Sequence, residues 1–120
     1  GIPRMSLVLI VEGLSDRHKI LSVFPDSQIE FIVTGGTKFN NRIKSQIEEH
    51  MSKKDDLFLL TDPDEAGTQL AKMVQDVYRI PRILVDASEA SYHTSKGNKY
   101  GVEHCSKRYI KSLIGGLVNG

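Results

Sequence analysis

Four short apolar runs limit what this chain can fold into: "LVLIV" (7–11), "IEFIV" (29–33), "LFLL" (57–60) and "RILV" (82–85). Three of them are nearly continuous rather than alternating, as expected of strands covered on both faces. Helical patterns separate them. After Gly13, Ser15 can cap a helix that carries Ile20, Leu21 and Phe24 and stops before Pro25. Phe39, Ile43, Ile47 and Met51 recur at every fourth position along a second helix. Leu70, Met73, Val74 and Val77 fall at i, i+3, i+4 and i+7 on a third, which ends before Pro81. Strands alternating with helices imply a parallel sheet with right-handed crossovers, so the expected fold class is α/β. The last third is less regular. "ASEASYHTSKGNKYG" (87–101) reads as a polar loop. Beyond it Val102, Cys105, Tyr109 and Leu113 lie at helical spacing until Gly115-Gly116 ends the pattern, which turns Cys105 toward the core.

A chain of 120 residues is the size of one domain with one core. The opening "GIPR" before Met5 has the look of an expression remnant, so a single domain is expected over residues 5–120. With 39% hydrophobic and 26% charged residues the composition is that of a globular protein, neither disordered nor membrane-bound. The longest apolar run is too short to span a bilayer or form a signal core. One cysteine excludes an internal disulfide and leaves no zinc-ligand set. The expectation is a cytoplasmic protein with no membrane contact.

The stretch "FLLTDPDEAG" (58–67) runs apolar residues straight into Asp62, Asp64 and Glu65. Crowded carboxylates repel, and each loses hydration if partly buried. A plain structural account exists: Asp62 as N-cap, Pro63 at N1 and Glu65 at N3 make a helix start close to a capping box. Acids in a first turn also complement the helix dipole by about 0.3–1 kcal/mol each. That accounts well for one carboxylate and loosely for three. "LVLIVEG" likewise ends a buried strand in a carboxylate, Glu12, followed by Gly13. In an open parallel sheet, ligands bind outside the carboxyl ends of the strands where the topology reverses. Were these strands neighbours, about 4.8 Å apart, Glu12 and Asp62 could share a cation. Asp62 and Asp64, two apart, would point the same way on extended backbone, with Pro63 stiffening the turn. Gly13 and Gly67 remove side chains where a phosphate can approach backbone N–H groups. Hard oxygen ligands without a His or Cys cluster favour Mg²⁺ or Mn²⁺ over zinc.

These residues resemble the Toprim domain, shared by topoisomerases, bacterial primases, overcoming-lysogenization-defect nucleases and the ribonuclease that matures 5S ribosomal RNA. The resemblance runs from about Leu7 to Lys111 and rests on "VEG" after the first strand and "TDPDEAG" after the third. "EGLSD", with Asp16, and "KYGVEH", Lys99 to His104, look most like the 5S-maturing ribonuclease. It implies a compact, Rossmann-like fold with about four parallel strands. On it Glu12 matches the family's glutamate, a general acid/base or metal ligand, and Asp62 and Asp64 match the Asp-x-Asp pair that holds Mg²⁺. The chain departs from the pattern at Leu14, where relatives often carry lysine. The large partner domains of these enzymes have no counterpart in it, so a partner protein supplying them is one expectation, and the resemblance assigns no nucleophilic role to Tyr78, Tyr92, Tyr100 or Tyr109.

Other residues have two readings each. His104 either aids proton transfer or is structural. Gly35-Gly36 with Thr37 and Lys38 either meets phosphate at a helix N-terminus or makes a plain tight turn. Asp16 is a dipole partner of its helix or orients the metal ligands from behind. The chain carries 16 Lys+Arg and 15 Asp+Glu; five and one of these fall in 91–120, leaving 11 and 14 in 1–90. Lys96, Lys99, Lys107, Arg108 and Lys111 are therefore either a phosphate-contacting surface or a solvated helix face.

The leading expectation is Mg²⁺-dependent cleavage or transfer of nucleic-acid phosphodiesters, RNA ahead of DNA, with Glu12, Asp62 and Asp64 at its centre. The alternative is a non-catalytic module that binds metal, nucleic acid or a partner protein. A phosphoacceptor signalling domain also sets acids after strands one and three. It ranks last, because Glu12 is followed by Gly13 and no fifth strand with its lysine is evident.

Overall fold

A computed structural model describes residues 6–118. The expression-remnant reading of residues 1–4 and the outer limits of the 5–120 domain lie outside the described residues. The elements run β1 (Leu7–Val11), α1 (Leu14–Val23), β2 (Glu30–Val33), α2 (Asn41–Ser52), β3 (Asp56–Leu59), α3 (Glu65–Gln75), α4 (Ala87–Ala90), β4 (Ser91–Thr94), β5 (Gly97–Tyr100) and α5 (Lys107–Val118). A 3₁₀ turn, Val102–His104, precedes α5. The fold is the α/β arrangement that the run spacing predicts.

The central sheet is parallel, in the order β2-β1-β3. β1 lies in the middle and is buried on both faces, which explains its unbroken apolar run. Val8 and Ile10 point into one core with Ile43 and Ile47 of α2 and Leu70 and Val74 of α3. Leu9 and Val11 point into the other, with Ile20 of α1 and Ile110 and Ile114 of α5. Each fully buried Leu, Ile or Val contributes roughly 1.5–3 kcal/mol against exposure. The two layers thus hold the sheet from both sides.

The fourth apolar run does not form a full strand. "RILV" makes a single parallel bridge, Leu59↔Arg82, through Leu59 N–H to the Pro81 carbonyl (2.8 Å) and Ile83 N–H to the Leu59 carbonyl (2.8 Å). Pro81 has no N–H to extend the ladder, and Leu84 is 77% exposed, so only Ile83 and Val85 reach the core.

The last third differs most from its sequence reading. The "loop" at 87–101 contains the short α4 and an antiparallel hairpin, with Tyr92 opposite Lys99 and Thr94 opposite Gly97. Gly97, at φ 106°, makes the turn that a side chain would strain. The final helix begins at Lys107 rather than Val102 and runs through Gly115-Gly116. Each glycine costs about 1 kcal/mol of helix propensity, less than burial of Ile110 and Ile114 returns. Cys105 is buried, as its spacing predicts. At the other end of the chain, α1 starts two residues earlier than expected: its N-cap is Gly13, and Ser15 lies inside the helix. Among the described residues no helix is long and apolar enough to cross a membrane.

Candidate functional site

The chain leaves β1 toward β2 on one side and returns to β3 on the other, so the topology reverses between β1 and β3. Those two strands are paired neighbours, and Glu12 and Asp62 emerge just beyond their carboxyl ends. The Asp62 N–H donates to Glu12 Oε2 at 2.7 Å. Asp62 Oδ1 accepts from the Val102 N–H at 2.8 Å. Asp16, 5% exposed in the first turn of α1, accepts from the Gly13 N–H at 3.1 Å, which is one half of a capping box. Three carboxylates from three segments thus meet at one edge.

The Asp-x-Asp pair divides its work. Asp64, not Asp62, is the N-cap of α3: its Oδ1 accepts from the Gly67 N–H at 2.7 Å. The helix start read from the sequence is therefore shifted by two residues, with Glu65 at N1. The cap engages one Asp64 oxygen, while its charge still acts on both Glu12 and Asp62. Gly67 serves packing at this point. A Cβ there would overlap the Asp62 carbonyl oxygen and come within 2.9 Å of its carbon, so only glycine lets α3 sit on the Asp62 backbone. Thr61, buried, ties the same turn by donating to the Gly67 carbonyl at 2.9 Å.

Burial pushes the Glu12 carboxyl up to about 7, with the Asp62 and Asp64 charges adding to it against the opposing Asp62 N–H. Burial also raises Asp16 to about 6, the Asp62 charge adding to it. Asp62 is raised too, burial again first, although the Val102 N–H pulls the other way. Among the described residues no Lys, Arg or His side chain forms an ion pair with Glu12, Asp16, Asp62 or Asp64. The edge holds more negative charge than the protein itself compensates.

The other expected site residues are placed as follows. Gly35 and Gly36, at φ 76° and 101°, both donate to the Glu12 carbonyl at 2.9 Å. They make the tight turn of the two readings, with those N–H groups engaged; Lys38 beyond them is exposed. His104 stacks on Tyr92 and its Nε2 lies 3.4 Å from Glu103 Oε1. Lys96 sits at the hairpin turn, Lys99 on β5, and Lys107, Arg108 and Lys111 are exposed on α5, which starts from the turn holding Asp62. Cys105 is fully buried, and burial pushes its thiol up to about 11, away from the reactive thiolate.

Sequence reasoning missed two contributors. Arg82 donates through Nη2 to the Asp62 carbonyl (2.9 Å) and through Nη1 to Thr68 Oγ1 (3.0 Å), bracing the acidic turn. Its place directly after Pro81, at the head of an apolar run, was the available signal. The Val102 amide had none, because a backbone donor forty residues away leaves no mark in the residue pattern. A different set of donor atoms also came together: Glu30, His50 and Asp55, mutually within 4.8 Å, lie at the opposite end of the sheet.

A parallel α/β sheet with paired acids at its switch point defines a class of domain that binds ligands on the carboxyl edge. Within that class the chain belongs to the Toprim domain family, whose model matches residues 7–96. It is similar to Ribonuclease M5 of Mesoplasma florum, 25% identical over 111 residues that cover 92% of this chain and 62% of that protein. It is also similar to Ribonuclease M5 of Clostridium acetobutylicum, 33% identical over 104 residues, 86% of this chain and 52% of that one. The chain spans less than two thirds of the length of either relative. In fold it matches a small TOPRIM domain protein from Bacillus stearothermophilus, with a TM-score of 0.76 at 22% identity over 97% of this chain and 91% of that one.

Proposed function

We propose that this domain is a divalent-metal-dependent phosphodiesterase acting on nucleic acid, RNA in preference to DNA. One observation carries the reading: Glu12 and Asp62 converge at the switch point, half-buried and without a cationic partner among the described residues. Oxygen-only donors of this kind suit Mg²⁺ or Mn²⁺. Glu12 and Asp62 would hold the ion, joined by the Asp64 oxygen that the cap leaves over. When bound, the ion supplies charge stabilisation to the scissile phosphate.

The chain's own residues do the rest. The Val102 N–H fixes one Asp62 oxygen, and Arg82 fixes the Asp62 backbone, so the carboxylate is held before any ligand arrives. Glu12, with its carboxyl near 7, is poised to exchange a proton close to neutral pH. Exposed Lys107, Arg108 and Lys111 on α5 supply phosphate contacts that the acidic edge does not. The names of the Ribonuclease M5 relatives favour RNA as the substrate.

The test is incubation with a panel of labelled RNA and DNA, single- and double-stranded, under Mg²⁺ or Mn²⁺. The expected result is metal-dependent cleavage that Asp62→Asn abolishes. Binding without cleavage by the wild type would make this a non-catalytic module, a reading favoured by the use of Asp64 as a helix cap.

A further inference from the structure

The β4–β5 hairpin and the 3₁₀ turn build a feature that the metal chemistry does not use. Tyr92 of β4 and His104 of the turn stack with ring centroids 3.8 Å apart and planes at 28°. Tyr92 is half-buried, while the His104 side chain is 38% exposed. The pair stands on Gly101, where a Cβ would come within 3.2 Å of His104 Cδ2 and 3.8 Å of Tyr92 Cε1. The backbone beneath is fixed: the Gly101 N–H donates to the Ala90 carbonyl (3.0 Å), and the next amide, Val102, holds Asp62. Lys99 faces Tyr92 across the hairpin, and Lys96 lies at its turn; both are exposed, and neither has a carboxylate partner among the described residues.

We propose that the His104–Tyr92 stack is a platform for one unpaired base of a single-stranded nucleic acid, with Lys96 and Lys99 on the flanking phosphates. This deepens the nucleic-acid reading above and rests on it. Tyr92 stacks on one face of the imidazole, and with the side chain 38% exposed the opposite face is the one offered to an incoming base. Aromatic stacking accepts any base, because each has a π face, whereas adjacent lysines track the backbone. The platform is two residues from the amide that orients Asp62, so a base seated there brings its strand to the acidic edge. The purely structural alternative is that the rings only brace the Gly101 turn. It predicts no difference between a free strand and none.

The experiment uses the full chain in EDTA with a single-stranded RNA of about eight nucleotides carrying 2-aminopurine, read by anisotropy for binding and by quenching for stacking. Wild type should quench the probe. His104→Ala should weaken binding roughly 5- to 150-fold and lose the quench, whereas His104→Phe should keep both. Tyr92→Ala should behave like His104→Ala; if it does not fold, the exposed His104 still decides. Unchanged affinity and quench in His104→Ala overturns the platform, as does a His104→Phe variant as impaired as His104→Ala. Adding Mg²⁺ to the same samples separates the two ideas. Quench without cleavage overturns the phosphodiesterase reading and supports the platform. Cleavage by His104→Ala with wild-type affinity and quench overturns the platform alone.

Discussion

The two ends of the parallel sheet carry similar side chains and solve opposite problems. At the amino end, His50 Nδ1 lies 2.9 Å from Asp55 Oδ2 and 3.8 Å from Glu30 Oε2, and the Ser6 N–H donates to the other Asp55 oxygen. There the protein supplies its own hydrogen-bonding side chain, and the hydrogen bond from His50 is the main reason the Asp55 carboxyl falls below its usual value. At the carboxyl end, Glu12, Asp16 and Asp62 have backbone amides and, among the described residues, no cationic partner, and all three carboxyls rise. Close donor atoms are therefore not the signature of a functional site. The informative feature is a carboxylate cluster whose charge is left uncompensated, since that costs stability unless something binds there.

The largest expected effect is on metal-linked stability. Mg²⁺ at 100 times its Kd should raise unfolding free energy by about 2.7 kcal/mol for one site. Asp62→Asn should erase that gain in thermal denaturation, and His50→Ala should not. Next comes the amino end itself. His50→Ala removes the side-chain hydrogen-bond partner of a largely buried Asp55 carboxylate and should cost about 2 kcal/mol, with or without metal, by urea denaturation.

The ends should also differ in the sign of their pH dependence. Glu12 has a folded value near 7 against an ordinary 4.5, so its contribution is complete below about 4.5 and is lost as pH rises through 7. Glu12→Gln should accordingly stabilise the metal-free protein at pH 8, by roughly 1–2 kcal/mol once solvent screening of a half-buried group is allowed for, and do little at pH 4. Asp55 works the other way: its depressed value gives stability at neutral pH that is lost as pH falls through it. Equal effects of Glu12→Gln at both pH values would erase the distinction between the ends. The smallest effect on stability should come from α5. Neutralising Lys107, Arg108 and Lys111 together should leave the melting temperature and metal binding alone while flattening the salt dependence of nucleic-acid binding. Each lost phosphate contact should lower the log–log slope by roughly 0.7–0.9.

Much of the fold was legible because burial on two faces writes itself into residue choice. β1 and the run 57–60 that holds most of β3 are apolar without interruption where both layers press on them, and Glu12 and Asp62 follow where that pressure ends. The adjacency of the two acids hung on whether β1 and β3 are neighbours, and the pairing of those strands supplies it. What stayed hidden depends on backbone groups and local competition. Asp62 and Asp64 are equally good caps by residue type, and only the seat of Gly67 on the Asp62 backbone decides between them. The hairpin at 91–100 buries little, so it lacks the alternating apolar signal; its one clear mark was the glycine at the turn. The final helix crosses two glycines because its far face packs on the sheet, a tertiary effect that local propensity does not contain.

Whether the carboxyl edge holds the metal is decided by a calorimetric Mn²⁺ titration at pH 7.5, run on wild type, on a Glu12→Gln/Asp62→Asn double variant and on His50→Ala. The account predicts a binding site present in wild type and His50→Ala and missing from the double variant. Retention of the site in the double variant, with its loss in His50→Ala, would place the metal at Glu30, His50 and Asp55 and contradict the account.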